Sequence, residues 1–170
     1  MRLVLDDSAN VAEWVASRIP QMSGGADFGF GAVGIGVVSS DGRPLGGVVF
    51  HNYQGRFSNI EVSFASASPR WLTRSLISGI LAYPFDQLGV NRITSLTPRK
   101  TTSARRFLEL FGFKREGIVR SGFGDDDMVI SGLMRSEWAR SRFNTRRDPA
   151  AKSERPQTSF PRKAVAKPSI

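Results

Sequence analysis

His51 is the only histidine in the chain, and the chain has no cysteine. An unperturbed imidazole titrates near neutrality and suits general-base work. Glu61 is the second candidate base. It interrupts Ile60, Val62 and Phe64, so strand alternation puts it on the opposite face from them. A carboxylate there could take a proton from a reacting group, directly or through water. Without cysteine, disulfides, cysteine metal sites and a thiol nucleophile are excluded, and no metal centre is expected. Cations gather at Arg99, Lys100, Arg105 and Arg106, and acids at Asp125, Asp126 and Asp127. The first group suits an anion or a solvated helix face. The second suits a cationic amine or a soluble hairpin tip.

Whether His51 and Glu61 act together depends on strand register. A two-residue turn at Gln54-Gly55 sets His51 opposite Ser58 and Val48 opposite Glu61, which puts the two candidates on opposite sides of the sheet. A one-residue bulge reverses this. They therefore stand as alternatives.

Hydrophobic spacing gives the elements that must position these groups. Arg2–Leu5 reads as a strand. Residues 8–19 read as an amphipathic helix through Val11, Trp14, Val15 and Ile19, ending at Pro20. After a glycine-rich loop, three β-type runs follow: Ala32–Ser39, Leu45–Tyr53 and Phe57–Ser66, an antiparallel meander. Ser68-Pro69 is expected to open a helix, serine as N-cap and proline in the first turn, continuing to about Leu88 and stopped by Gly89. Ile93–Thr97 is a strand ended by Pro98. Thr101 or Thr102 caps a helix with the apolar face Phe107, Leu108 and Phe111, closed by Gly112. Phe113–Arg120 and Met128–Met134 are the last strands. The order β-α-βββ-α-β-α-ββ predicts an α/β (α+β) mixed sheet with a parallel pair around the crossover helix.

This order, with the stretch LGVNRITSLTPRKTTSARRFLELFGFKREG and its Gly112-Phe113 element, resembles the GNAT N-acetyltransferase superfamily over roughly residues 30–135, as a divergent member of phage or bacterial type. The resemblance implies a mostly antiparallel sheet with a splayed central parallel pair, helices on both faces, and acetyl-CoA as cofactor. Phe64, Ala65 and Ser66 would then face the pantetheine arm. The pyrophosphate would rest on a helix N-terminus, where the family motif Arg/Gln-x-x-Gly-x-Gly/Ala reads Arg70-x-x-Thr73-x-Ser75 here, with Arg74 beside it. Hydroxyl residues replace both glycines. The tyrosine that protonates the departing thiolate in many members is Leu108 here, and the usual helix-opening asparagine is Thr101. Solvent or another hydroxyl such as Ser103 would take the acid's part. Arg99, Lys100, Arg105 and Arg106 would lie near the nucleotide end of the cofactor. Amine transfer in a ternary complex is the implied reaction. Modification of a DNA nucleobase, as in Mom-type proteins of the same fold, and a degenerate nucleic-acid or protein-binding module are the alternatives.

Of the net charge of +9, the stretch from Arg135 to Ile170 carries most, with ten Lys/Arg against three acids. Residues 1–134 hold fourteen against twelve. We expect a domain over residues 1–138 and a basic, disordered tail over 139–170, where core-forming residues fade. Any attraction to nucleic acid resides in that tail, and the amine acceptor is not legible. No apolar run of about eighteen residues occurs, so no membrane span is expected and a cytoplasmic location is.

Overall fold

The computed structural model describes residues 1–22 and 27–145. Its elements are β1 (Arg2–Val4), α1 (Ser8–Ala16), β2 (Val33–Val38), β3 (Pro44–Gln54), β4 (Asn59–Ser66), α2 (Arg74–Ala82), β5 (Arg92–Pro98), α3 (Thr102–Leu110), β6 (Lys114–Val119), β7 (Met128–Met134) and α4 (Arg135–Trp138). The seven strands form one sheet in the order β1-β2-β3-β4-β5-β7-β6. Only β4 and β5 run parallel, as the crossover through α2 requires,. α1 packs on one face, over Val4, Val38 and Val49. α2 and α3 cover the other, over Val48, Ile60, Val62 and Ile93. The expected mixed, mostly antiparallel architecture is the one observed.

Three local expectations give way to tertiary structure. α1 ends at Ala16 rather than at residue 19. The Ser17 hydroxyl and the Arg18 guanidinium both donate to the Trp14 carbonyl, closing the helix before a short 3-10 turn at Pro20–Met22. The helix expected from Ser68-Pro69 begins instead at Arg74, capped by the Thr73 hydroxyl, which accepts the Leu76 N–H. The cause is Trp71. Its ring is fully buried and lies against the backbone of Gly46, and the chain from residue 68 to 72 stays open to deliver it there. At the far end, Pro84 cannot donate to a helical carbonyl. The last turn widens to a π-turn, Tyr83–Gln87, closed by Leu88 N–H to Tyr83 O, and Gly89 follows at φ +72°.

The third change is the register of β3 and β4. The connection is a 3-10 turn, Gly55–Phe57, with Ser58 left-handed at φ 53° and Asn52 at φ 48°. The ladder shifts between His51 and Gln54, so that His51 pairs directly with Glu61. The two-residue turn that would separate them is not formed. Past Trp138, where the sequence pattern fades, Phe143 still packs on Phe111 and the Thr145 N–H reaches the Ser78 hydroxyl. The remainder of the basic tail lies outside the described residues.

Candidate active site

β4 and β5 pair only over Asn59–Glu61 and Arg92–Thr94, although β4 runs on to Ser66 and β5 to Pro98. Beyond those three pairs the strands diverge. Side chains lock the closed end. The Thr94 hydroxyl donates to Asn59 Oδ1 at 2.8 Å and accepts from Arg92 Nε at 3.0 Å. The Arg92 guanidinium also holds Glu116 with both Nη atoms. At the open end, α3 rather than β5 covers β4. Phe107 packs on Phe64 with ring centroids 4.6 Å apart and stacks on Trp71 at 5.8 Å.

The result is a cleft of about 980 Å³. Of the residues picked from the sequence, His51, Glu61, Phe64, Ala65, Ser66, Thr101 and Ser103 line it. Arg70, Thr73, Arg74 and Ser75 sit in the loop and first turn of α2, joined to the cleft through Trp71, which lines its wall. Leu108 is buried in the core. Arg99 and Lys100 are engaged with the acidic turn: Arg99 Nη1 donates to Asp127 at 3.0 Å and the Lys100 backbone N–H to Asp126 at 2.9 Å. That turn is thus a hairpin clasped to the start of α3. Asp127 is held below the usual carboxylate range by the Ser121 N–H and then by Arg99. Arg106 does line the cleft, whereas Arg105 donates to the Thr102 hydroxyl.

Sequence reasoning missed a polar chain across the cleft floor. His51 Nε2 shares a 3.0 Å hydrogen bond with Ser63 Oγ. His51 Nδ1 stands 3.9 Å from Glu61 Oε2, in side chains only 16% and 19% exposed. The other Glu61 oxygen accepts from Asn52 Nδ2 at 2.6 Å, and Phe28 packs its ring 5.0 Å from the imidazole. Asn52 tolerates a positive φ better than most residues, so the bulge that sets the register also supplies the group that orients Glu61. Burial pushes the His51 imidazole below its ordinary value, with Glu61 pulling the other way, a shift that favours the neutral ring. Ser63 follows Glu61 at strand spacing, but nothing links it to His51 until the register is known. On the β5 side, Thr97 Oγ1 is buried without a hydrogen-bond partner. Among the described residues no group of three His, Asp or Glu side chains is placed to hold a metal ion, and no helix is long and apolar enough to cross a membrane.

No protein-family model matches the sequence, and no curated protein matches it. Solved structures do match in fold. The spermidine/spermine N-acetyltransferase SpeG from Vibrio cholerae, in mutant forms, is 20% identical over 65% of this chain and 71% of its own, with a TM-score of 0.58. A chimera of Vibrio cholerae SpeG and hSSAT is 18% identical over 66% of this chain and 72% of its own, at 0.59. The fold is that of the GNAT acetyltransferases. A T. thermophilus protein, described provisionally as an acetyltransferase, shares this GNAT architecture at 19% identity and a TM-score of 0.58 over 69% of this chain, which spans 65% of that protein's length.

Proposed function

We propose that this protein is an acetyl-CoA-dependent N-acetyltransferase acting on an amine. The observation that carries this reading is the divergence of β4 and β5 after three paired residues. It leaves two strand edges facing a cleft with no strand between them. An extended ligand rich in amides satisfies such edges as a further strand would.

The residues present fit that cofactor. The backbone of Phe64, Ala65 and Ser66 offers one edge to a pantetheine arm, and the unpartnered Thr97 hydroxyl lies on the opposite wall. The first-turn N–H groups of Arg74 and Ser75 have no acceptor within their helix, and the helix dipole adds attraction for phosphate. Arg70 and Arg74 add charge. Thr73 and Ser75 stand where the family has glycines; the Thr73 hydroxyl already serves as helix cap, so its replacement of glycine has a structural use here. Acetyl-CoA supplies the acyl group as an activated thioester.

His51, neutral and inside the cleft, takes the proton of the attacking amine at Nε2, and Glu61 stabilises the imidazolium so formed. Positioning by the cleft walls supplies much of the remaining acceleration. Ser103 and Thr101, at the start of α3, are the hydroxyls available to the leaving thiolate. Membership of an enzyme family acting on polyamines is not needed for this reading; any amine that reaches His51 serves.

Calorimetric titration with acetyl-CoA tests it. We expect a Kd on the order of 10 μM, about −7 kcal/mol, weakened roughly tenfold in the Arg70→Ala/Arg74→Ala double variant. No heat at millimolar cofactor would overturn the proposal.

A further inference from the structure

Ser63, His51 and Glu61 lie on one face of the β3–β4 ladder, because His51 pairs with Glu61 and the next like-facing pair is Val49 with Ser63. All three line the cleft. The hydroxyl is 3.0 Å from Nε2, the carboxylate is 3.9 Å from Nδ1, and an amide fixes the carboxylate's far oxygen at 2.6 Å. This is the order nucleophile, base, acid in which a serine is activated, with the carboxylate facing Nδ1 as a counter-charge beyond hydrogen-bond distance. A histidine that only needed burial would be satisfied by one partner. Here each ring nitrogen faces a different group, and the outer group is itself held.

We infer that Ser63 is a nucleophile and that the cleft carries an acyl-serine hydrolase activity toward thioesters and activated esters, in addition to direct transfer to amines. Its thioester arm rests on the cofactor reading above. In the first step Ser63 Oγ attacks the acyl carbon while its proton passes to His51 Nε2. The carbon–sulfur bond breaks and the departing thiolate takes that proton. In the second step a water molecule gives a proton to Nε2 and its oxygen to the acyl carbon. The bond from the acyl carbon to Oγ then breaks, and Ser63 recovers the proton. The products are a thiol and a carboxylic acid, with water as the co-reactant and no change in oxidation state. Glu61 faces the imidazolium in both steps. The free β4 edge beyond Glu61 offers backbone N–H groups to the oxyanion.

The test uses two acyl donors on the full chain. 4-Nitrophenyl acetate reports the nucleophile without needing a cofactor site, and acetyl-CoA without added amine reports the thioester. We expect a burst of nitrophenolate, and a tryptic peptide heavier by one acetyl group at Ser63. Ser63→Ala abolishes both, and His51→Ala slows the burst by about 10²–10⁴-fold. Ser63→Cys, the sole thiol in a chain without cysteine, restores the burst and reacts with iodoacetamide faster than free cysteine, as proximity to His51 dictates. If acetyl-CoA binds by calorimetry but neither donor labels Ser63, the inference falls and the transferase reading stands. If the ester labels Ser63 while acetyl-CoA gives no heat, the nucleophile stands and the cofactor reading falls. An ester burst unchanged in Ser63→Ala overturns the inference.

Discussion

Gly46→Ala probes how the cleft wall is seated. Gly46 pairs with Ser66 across β3 and β4, and a Cβ built on it would overlap Trp71 Cε3 and Cδ2 and stand 2.7 Å from Cζ3. Carbon atoms attract best at about 3.5–4.0 Å, so the ring must retreat by about 1 Å or more. Movement of that ring disturbs Phe107, stacked on it at 5.8 Å and an interplanar angle of 11° and itself packed by Phe64 and Phe111. Overpacking of this kind costs about 1–3 kcal/mol, and the stiffer unfolded chain returns about 0.4–1 kcal/mol. Taking the middle of each range, the net loss is about 1.3 kcal/mol, a fall in Tm of about 3–5 °C for a domain of this size. Thermal melts followed by circular dichroism read the difference. Adding Trp71→Leu, which removes the clashing ring, makes the two changes non-additive by about 1 kcal/mol or more. A Gly46→Ala protein that melts within about 1 °C of the parent, or a strictly additive double variant, would refute the reasoning.

Two further outcomes follow from the same geometry. Because burial lowers the His51 value in the folded chain from 6.5, the unfolded chain binds more protons in the window just below 6.5. Stability therefore declines as pH falls through that window. The carboxylates Asp41, Asp127 and Glu137 are held below 3.8, 3.8 and 4.5 respectively, so their losses come at more acid pH. His51→Gln should flatten the dependence of the urea midpoint between about pH 7 and pH 5, and an unchanged slope would contradict the assignment. Thr73→Ala removes the cap on α2 and should cost about 1 kcal/mol, whereas Thr73→Gly costs a few tenths beyond parent. Equal denaturant midpoints for the two variants would show that the Thr73 hydroxyl is not the cap that matters.

Much of the fold is legible in the sequence because local and tertiary preferences agree. The α3 segment carries its apolar face and ends at Gly112, which sits at φ +92°, with Phe113 N–H returning to the Leu108 carbonyl. The β-meander and the parallel crossover follow from pattern alone. The start of α2 does not, because Ser68-Pro69 and Thr73 carry equally good capping chemistry. Only the burial of Trp71 against Gly46 chooses between them, and that contact joins distant parts of the chain. The site is half legible for a similar reason. His51 and Glu61 stand out by residue type, but strand alternation is blind to a bulge. The left-handed Asn52 moves the ladder by enough to bring the two together, and Ser63 becomes visible only then. Phe143 reads as tail because a single aromatic in a polar stretch shows no periodicity.

The three-pair contact between β4 and β5 makes the sheet two leaves bound along a short spine. One leaf, β1 to β4, is woven from a continuous early stretch of chain, and the other, β5 to β7, from a continuous later one. Each can assemble from near neighbours before the spine closes, since the parallel contact must wait for α2 to cross over. Once closed, the spine is the natural axis for the leaves to swing about. A molecule gripping both would lengthen it, so occupancy should be felt as slower amide exchange far from the chemistry, along both leaves at once.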